Sequence, residues 1–382
     1  MRIAIIGTRG IPNNYGGFEQ CAEYLSVGLV KRGFEVTVYN SHNHPYQQKE
    51  WNGVEICHRY DPEYKLGTAG QFIYDLNCIK DARKRSFDVI LQLGYTSSAI
   101  WGWMLPTQSV ITTNMDGMEW NRAKYSKSAK AFLRMAERLA VLTSDHLIAD
   151  STEIQRYLNN KYGKEPVFIP YGATLFNDND PAVLLEYGLM PYQYNMLIAR
   201  MEPENSIETI LDGYCLTGSV HKFLVVGSTD NVFGNYLVKK FKFNPNIIFC
   251  GGIFSGDKLN NLRYYSNLYF HGHTVGGTNP SLLEAMASNA LICASDNVFN
   301  RAVLNENAWY FNTSNDVAQY INSIDKGTGE YNAMVLNNRD RIKNFYNIDN
   351  VVDSYAAHFE QIVNEKAEKR QAKVSEGQIT FN

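Results

Sequence analysis

The sequence has only six cysteines among 382 residues, and no two of them form a C-x-x-C pair. A disulfide framework or a cysteine-based zinc site needs cysteines at characteristic close spacings, so the spacing argues against both. Their surroundings are mostly apolar, which predicts reduced core residues. The six are Cys21, Cys57, Cys78, Cys215, Cys250 and Cys293.

Long hydrophobic runs and an excess of charge of one sign are also missing. No run approaches the roughly 18 to 20 apolar residues of a membrane-spanning helix, and residues 1–7 predict a strand instead of a signal peptide. The formal net charge is −3, which gives no reason to expect a nucleic-acid partner. We therefore expect a cytoplasmic protein.

Short apolar strands alternate with helical stretches along both halves of the chain. This alternation favours parallel sheets covered by helices on both faces, and 382 residues suit two domains better than one. We predict an α/β fold with two doubly wound, Rossmann-like domains. The predicted strands are 2–6, 35–39, 89–92, 109–113, 146–149 and 167–171 in the first half, then 194–199, 222–226, 246–250, 268–271 and 290–294.

A polar stretch from Phe176 to Pro181 is predicted to be the linker. We assign residues 1–172 to the N-terminal domain and 173–345 to the C-terminal domain. Residues 346–364 carry apolar side chains at helical spacing and predict a last helix. The charge-rich end, 365–382, lacks apolar anchors and predicts a disordered tail.

The segment from His271 to Ala287 is the most informative part of the sequence. It turns an extended run into a helix through a Gly-rich bend and places Glu284 in that helix. Unpaired N–H groups at a helix start attract a phosphate, while a carboxylate further along accepts hydrogen bonds from hydroxyls. A nucleotide or sugar phosphate is therefore the expected ligand. The bend consists of Gly276, Gly277, Thr278 and Asn279.

This segment resembles the donor-binding signature of glycosyltransferase family 4, and its form is similar to the bacterial rhamnosyltransferase branch. Residues 8–19, 116–120, 199–205 and 296–301 resemble the same branch in the same order. The resemblance implies a retaining transferase of GT-B fold, with two domains facing a central cleft and the last helix crossing back to the first domain. It also implies that no protein nucleophile is needed.

Arg200 follows a predicted strand and should emerge at the carboxyl edge of the second sheet, where doubly wound proteins bind ligands. A guanidinium can bind a diphosphate through paired hydrogen bonds, although a surface salt bridge is the alternative. The family usually has a lysine five residues later, where this sequence has Asn205. The Gly-rich bend and Lys258 are possible substitutes for that lost charge.

Glu284 matches the second glutamate of the family's E-x7-E pair, which implies contact with the nucleoside ribose. A charge favoured by the helix dipole is the alternative. The first glutamate, which commonly contacts the transferred sugar, is replaced by Gly276. A backbone-lined pocket there suits a sugar without a 6-hydroxyl, such as rhamnose.

Four residues of the first domain are further candidates. Gly16 and Gly17 follow a loop too long for a dinucleotide turn, and the resemblance implies that this loop approaches the donor phosphate and the acceptor. A tight strand-to-helix turn is the alternative. Asp116 could orient the acceptor hydroxyl or stabilise positive charge at the anomeric carbon, unless it only forms an Asp-Gly turn. Glu119 is a second carboxylate on this acceptor side.

No metal and no cofactor are expected. His271 and His273 could share a strand face, but no third ligand lies at a suitable spacing. Asp178 and Asp180 mimic a metal-binding D-x-D, yet they precede Pro181 and predict a helix start.

One helical region is rich in basic residues, with Glu137 as the lone acid on it. Such a face either contacts anionic lipid headgroups or is simply solvated. Lipid contact would place the protein peripherally at the inner face of the plasma membrane. The basic residues of the region are Arg122, Lys124, Lys127, Lys130, Arg134 and Arg138.

The sequence thus predicts a transferase that moves rhamnose from dTDP-rhamnose to a growing bacterial cell-surface glycan or lipid-linked acceptor. A UDP-sugar donor is the alternative within this class. A nucleotide-sugar epimerase or dehydrogenase is disfavoured by the missing dinucleotide fingerprint. A non-catalytic glycan-binding or nucleotide-sugar-binding protein is a different class, which the replaced lysine and glutamate favour.

Overall fold

The computed structural model describes residues 1–14 and 16–379, and the chain divides into two compact units. Unit 1 contains Met1–Trp120, Lys127–Pro170 and Ile348–Asn382. Unit 2 contains Tyr171–Asn347 and also the short segment Asn121–Ser126. The sequence did not predict that this segment would belong to the second unit.

Unit 1 contains an eight-stranded sheet with helices between its strands. The strands are β1 (Arg2–Ile6), β2 (Glu35–Ser41), β3 (Glu50–Trp51), β4 (Val54–Arg59), β5 (Val89–Leu93), β6 (Val110–Asn114), β7 (His146–Ala149) and β8 (Val167–Phe168). The helices that alternate with them are α1 (Gly17–Lys31), α2 (Glu63–Leu66), α3 (Ala69–Ala82), α4 (Lys127–Thr143) and α5 (Thr152–Tyr162). The strand order is β3-β4-β2-β1-β5-β6-β7-β8. Between β1 and β5 the strand order changes direction, and we call this topological switch point the reversal of the sheet, although β1 and β5 themselves are parallel.

The central strand β1 shows why this sheet is covered on both faces. Ile3 and Ile5 pack in one cluster with residues of α1, whereas Ala4 and Ile6 pack in another with residues of α3. Successive side chains of a strand point to opposite faces, so an uninterrupted apolar run is buried on both.

Unit 2 contains a six-stranded sheet in which the described pairs are parallel. Its strands are β9 (Tyr194–Ile198), β10 (Lys222–Val226), β11 (Ile247–Phe249), β12 (Tyr269–His271), β13 (Ile292–Ser295) and β14 (Trp309–Phe311). Its helices are α6 (Ile207–Thr217), α7 (Val232–Phe241), α8 (Gly256–Tyr265), α9 (Pro280–Ala287), α10 (Val298–Leu304), α11 (Ser314–Ser323) and α12 (Asn332–Phe345). The order β11-β10-β9-β12-β13-β14 reverses between β9 and β12. The predicted α/β fold with two parallel, doubly wound sheets is therefore confirmed.

The polar stretch 176–181 does not act as a linker, because it packs within unit 2. The N–H of Phe176 donates to the carbonyl of Ala287 at 3.1 Å. The side-chain amide of Asn179 donates to the hydroxyl of Tyr265 at 2.9 Å. Polar residues in this stretch therefore satisfy neighbouring groups of the fold, and polarity alone misled the prediction.

The last helix, α13 (Ile348–Ile379), belongs to unit 1. A Cβ atom on Gly28 of α1 would lie 2.7 Å from a methyl of Val352, so the two helices approach closely at this glycine. Tyr355 and Phe359 are buried in the same cluster as β1. Nowhere in residues 1–14 and 16–379 is a helix both long and apolar enough to cross a membrane.

The expected disordered tail, 365–382, is instead helical as far as Ile379, and residues 380–382 lie outside the described residues. Lys366 explains part of the difference, because its ammonium donates to the carbonyls of Thr107 and Ser109 at 3.0 and 2.6 Å. Glutamate, lysine, alanine and glutamine also favour helix intrinsically, without apolar anchors.

Candidate functional site

Two loops meet at the reversal point of the unit 2 sheet, one following β9 and the other following β12. Arg200 lies two residues beyond β9 and is exposed. Its carbonyl accepts a hydrogen bond from the side-chain amide of Asn205 at 2.7 Å, and Asn205 is buried. Asn205, predicted to bind the donor, therefore closes the loop that carries Arg200.

Backbone contacts hold the two loops together. The N–H and the hydroxyl of Thr274 donate to the carbonyl of Glu204 at 3.1 and 2.8 Å. A Cβ atom on Gly272 would lie 2.1 Å from the carbonyl oxygen of Asn205. Since no other residue tolerates that approach, the glycine fixes the position of the β12 loop beside Arg200.

The Gly-rich bend differs from the expectation of unpaired N–H groups at the helix start. Helix α9 begins at Pro280, which has no N–H, and the side chain of Asn279 accepts from the N–H of Ser281 at 2.9 Å. The N–H groups of Leu282 and Leu283 donate to the carbonyl of Asn279. Asparagine before proline is a typical helix cap, and here it satisfies the first turn.

The unsatisfied amides lie earlier in the bend. Among residues 1–14 and 16–379, nothing accepts a hydrogen bond from the N–H groups of Gly276 and Gly277. Gly276 has a φ of 132°, and a Cβ atom there would meet nothing within 4 Å. Thr278 beside them is buried. The bend therefore has two amide donors without an acceptor among the described residues, next to an open position at Gly276, and such donors can bind an anion.

Glu284 lies in α9 and forms an ion pair that the sequence did not reveal. The guanidinium of Arg263 donates to its carboxylate at 2.5 Å and to the hydroxyl of Ser281 at 3.2 Å. The Arg263 side chain is 1% exposed, whereas that of Glu284 is 26% exposed. Glu284 thus balances a buried cation and also reaches the surface near the bend.

Two histidines of this region have buried ring nitrogens that form no hydrogen bond with the described residues. These atoms are both ring nitrogens of His271, which is buried, and Nδ1 of His273, which is half-buried. Burial lowers the pKa of His271 well below its usual range. Desolvation lowers the pKa of His273 to about 3, with smaller contributions from the guanidinium groups of Arg200 and Arg122. Both imidazoles are therefore neutral at pH 7.

Positions considered for cations or metal in the sequence are arranged differently. The ammonium of Lys258 forms an exposed ion pair with Glu186 at 2.7 Å. The rings of His271 and His273 stack with centroids 4.4 Å apart, and the described residues contain no group of three or more suitable side chains that could hold a metal ion. Asp180 caps a 3₁₀ turn by accepting from the N–H of Ala182 at 2.9 Å.

In unit 1, Gly16 and Gly17 lie at the start of α1, as expected for the loop after β1. The first turn also contains Glu19, which is buried and accepts a hydrogen bond from the N–H of Arg9 at 2.8 Å. A carboxylate already at this helix start disfavours a second anion. The role of the two glycines toward a donor phosphate stays a prediction.

Asp116 and Glu119 follow strand β6 in unit 1. Asp116 has a φ of 47°, and its N–H donates to the side chain of Asn114 at 2.9 Å. Nearby, the hydroxyl of Tyr95 is buried without a partner among the described residues. Burial raises the pKa of Tyr95, and the carboxylates of Glu137, Glu119 and Asp116 raise it further. This edge therefore combines carboxylates with a neutral hydroxyl.

Glu137 is not the lone acid of a basic surface, because it is only 2% exposed. Its carboxylate accepts hydrogen bonds from the indole of Trp120 at 2.9 Å and from the ammonium of Lys161 at 2.8 Å. The hydroxyls of Tyr157 and Tyr162 donate to it as well. Glu137 therefore fixes Trp120, which follows Glu119 directly.

Sequence reasoning missed Glu204, Arg263 and Tyr95, and it assigned Arg122 only to a basic helical region. Glu204 carried a local signal, since it directly precedes Asn205 in a segment already recognised. Arg122, Arg263 and Tyr95 have their surroundings set by contacts between positions far apart in the sequence.

Comparison with known proteins gives a family match for the first half of the chain. Residues 1–174 match the family described as a domain of unknown function (DUF1972). No curated protein matches the sequence.

Solved structures match nearly the whole chain. Sucrose-phosphate synthase from Thermosynechococcus elongatus is 17% identical, with 95% of this chain and 99% of that chain covered and a TM-score of 0.77. HepE from Anabaena, in complex with UDP and glucose, is 13% identical, with coverages of 94% and 99% and a TM-score of 0.73. Trehalose 6-phosphate synthase from Burkholderia multivorans is 11% identical, with coverages of 97% and 98% and a TM-score of 0.70. The chain therefore has the GT-B glycosyltransferase fold.

Proposed function

We propose that the protein is a glycosyltransferase whose unit 2 binds a nucleotide-sugar donor. The observation that carries this proposal is the edge at the reversal between β9 and β12. There, exposed Arg200 follows one strand, and the amides of Gly276 and Gly277, which have no acceptor among the described residues, follow the other. Guanidinium and amide donors together suit a diphosphate, and a sheet reversal is where doubly wound proteins bind nucleotides.

The proposed donor is dTDP-rhamnose. The open space at Gly276 supports a sugar that lacks a 6-hydroxyl, since the family's glutamate side chain is replaced by a hydrogen atom. A UDP-sugar is the alternative, supported by the HepE structures with UDP and with UDP-glucose. Glu284 would accept hydrogen bonds from ribose hydroxyls while Arg263 holds its carboxylate in place.

The proposed reaction retains the anomeric configuration and uses neither a protein nucleophile nor a metal ion. The acceptor hydroxyl attacks C1 of the sugar on the face from which the diphosphate leaves, and the departing phosphate takes the hydroxyl proton. Arg200 and the bend amides stabilise the charge that grows on the diphosphate. Asp116 and Glu119 orient the acceptor or stabilise positive charge at C1, and Gly16 and Gly17 allow close approach of the backbone.

The proposed acceptor is a growing bacterial cell-surface glycan, or a lipid-linked precursor of one. Lys127, Lys130 and Arg134 would contact anionic lipid at the inner face of the plasma membrane. Exposed Met135 and Leu142 on the same helix support this surface, since amphipathic helices at membranes combine basic and apolar side chains.

A donor panel tests the proposal. Binding of dTDP, UDP, dTDP-rhamnose and UDP-glucose is measured by calorimetry, and then turnover is measured with and without excess chelator. Proton NMR of the product reads the anomeric coupling. Retention with chelator resistance is expected. Inversion, or loss of activity in chelator, would contradict the mechanism, while failure to bind any nucleoside diphosphate would contradict the donor site.

A non-catalytic nucleotide-sugar-binding protein is the second candidate. It is favoured by the use of Asn205 to close a loop and by the absence of a side chain at Gly276. In the same panel it would bind the donor tightly without releasing the nucleoside diphosphate in the presence of any acceptor.

A further inference from the structure

We infer that Arg122 is the second cation of the donor-diphosphate site in unit 2, and that Glu204 positions it. This inference rests on the proposed donor binding. It names a residue for the charge that the lysine at position 205 supplies in the resembled family and that Asn205 does not.

The segment Asn121–Ser126 is held in unit 2 by charged groups of the loop after β9. The guanidinium of Arg122 lies 3.9 Å from the carboxylate of Glu204. The ammonium of Lys124 lies 3.4 Å from the carboxylate of Glu202. Both acids stand between Arg200 and Asn205, so the segment approaches the loop that carries the proposed diphosphate ligand.

Glu204 needs a cation where it lies. It is 6% exposed, and neither carboxylate oxygen accepts a hydrogen bond from any residue in the described part of the chain. A buried carboxylate without hydrogen bonds costs free energy unless an opposite charge compensates it. Arg122 supplies that charge, and its side chain still keeps 15% of its surface exposed.

Arg122 reaches the same two loops that carry Arg200 and the bend. The backbone carbonyl of its ion-pair partner Glu204 accepts hydrogen bonds from Thr274 in the β12 loop, and Arg200 precedes Glu204 in the β9 loop. The charges of both arginines also lower the pKa of His273, in agreement with this placement. A diphosphate carries the complementary charge and matches the planar donors of arginine.

Lys258, the other cation considered from the sequence, is less suitable. It forms an exposed ion pair with Glu186, outside the two loops of the site. Arg122 therefore explains the absence of a lysine at position 205 better than Lys258 does.

Calorimetry on the full chain with inorganic pyrophosphate, UDP and dTDP tests the role of Arg122. Arg122→Ala should weaken the binding of all three probes by roughly 10- to 100-fold, because it removes charge-assisted hydrogen bonds to the phosphates. Arg122→Lys should lose less, since the charge remains. The matched control Lys239→Ala changes an exposed cation on α7 and should bind like the wild type.

The change in pyrophosphate affinity in Glu204→Gln distinguishes a positioning role of Glu204 from simple charge repulsion, because the two predict opposite directions. Glu204→Gln removes a negative charge near an anion, so a purely repulsive carboxylate would tighten pyrophosphate binding. If Glu204 positions Arg122, binding should instead weaken by roughly 3- to 10-fold, and the further loss should vanish in the Arg122→Ala background.

The outcomes separate the two proposals. If Arg122→Ala binds the three probes as tightly as the wild type does, the role of Arg122 is overturned and the donor site is unaffected. Tighter binding in Glu204→Gln would overturn the positioning role alone. Absence of wild-type binding to all three probes would overturn the donor site, and the inference with it.

Discussion

The two units share a doubly wound topology but treat the charges at their sheet reversals in different ways. In unit 1, near the reversal between β1 and β5, Arg9 donates two hydrogen bonds to Glu63 at 2.8 and 2.7 Å. The carboxylate of Glu19 accepts from the backbone N–H of Arg9. The ionised groups of this edge are thus balanced within the unit.

In unit 2, near the reversal between β9 and β12, polar groups lack partners in the described part of the chain. Among the described residues, nothing donates a hydrogen bond to the carboxylate of Glu204, and nothing accepts one from the N–H groups of Gly276 and Gly277. The same topology therefore leaves polar groups satisfied at one edge and without partners at the other, so the local side chains decide which chemistry an edge can support.

The largest expected effect concerns Asp75, a buried carboxyl near the unit 1 edge. Its pKa is raised to about 7, chiefly by burial and also by the charge of Asp61, against the lowering effects of the hydrogen bond from Ser97 and the charge of Arg9. The folded state therefore holds a proton that the unfolded state loses near pH 4. Stability should fall as pH rises from about 4 to about 7.

Asp75→Asn should remove this fall, because the amide stays neutral at every pH. We expect the variant to be more stable than the wild type at pH 8 by about 2 to 4 kcal/mol, and equal to it below pH 4. Urea unfolding at several pH values measures the difference, with exposed Asp178→Asn as the control. Parallel pH profiles for the Asp75 variant and the wild type would refute the raised pKa.

The next effect tests whether the unit 2 edge binds the diphosphate. Arg200→Ala should lower turnover on the order of 100-fold, because it removes a donor to charge that grows in the transition state. The fold should survive, since Arg200 is exposed. Steady-state kinetics and thermal unfolding measure the two properties. Lys239→Ala is the control, and unchanged kinetics in a folded Arg200 variant would remove Arg200 from the site.

Glu284→Gln should weaken the binding of free nucleoside diphosphate by roughly 1 to 3 kcal/mol, because charge-assisted hydrogen bonds to ribose become weaker. The structure adds a second consequence, since Arg263 loses the carboxylate that neutralises it in a buried position. The affinity measured by calorimetry and the stability measured by thermal unfolding should therefore both fall. A fall in stability with unchanged affinity would show that Glu284 serves Arg263 alone.

The fold and part of the site could be predicted from the sequence, because they depend on local patterns. Alternating apolar strands gave the two sheets, and the position of Arg200 followed from the end of a strand. Asn279 before Pro280 is also a local helix-cap pattern, and its use would have corrected the expectation of unpaired amides at the start of α9.

The remaining site depends on contacts between positions far apart in the chain. Arg122 stands next to Glu204 only because Asn121–Ser126 packs in unit 2. Arg263 meets Glu284 only because α8 packs against α9. No periodicity or spacing encodes such pairs, so a single sequence could not identify them. The lysine and arginine residues near α4 looked alike in sequence, yet the structure separates Arg122 from the rest.

The smallest expected effect per residue is the loss of liposome binding when basic residues on the surface of α4 are changed. Arg134 lies with its guanidinium 4.7 Å from the ring centre of Trp120, so changing it would also disturb the proposed acceptor side. Exposed Lys127 and Arg138 are cleaner positions. Lys127→Glu with Arg138→Glu should reduce cosedimentation with anionic liposomes at low salt, by about 1 kcal/mol for each basic residue removed and more for the reversed charge. Neutral liposomes should bind neither protein.

Activity toward a short soluble acceptor should persist in this double variant, because neither residue belongs to the proposed donor or acceptor site. Lys239→Glu with Lys242→Glu makes the same charge change on unit 2 and should leave liposome binding unaltered. Equal loss in both double variants would indicate a response to net charge alone, and absence of wild-type binding would leave the basic face of α4 as a solvated surface. Loss of liposome binding in the α4 double variant alone would assign membrane contact to unit 1, and this would be a second difference between the two units.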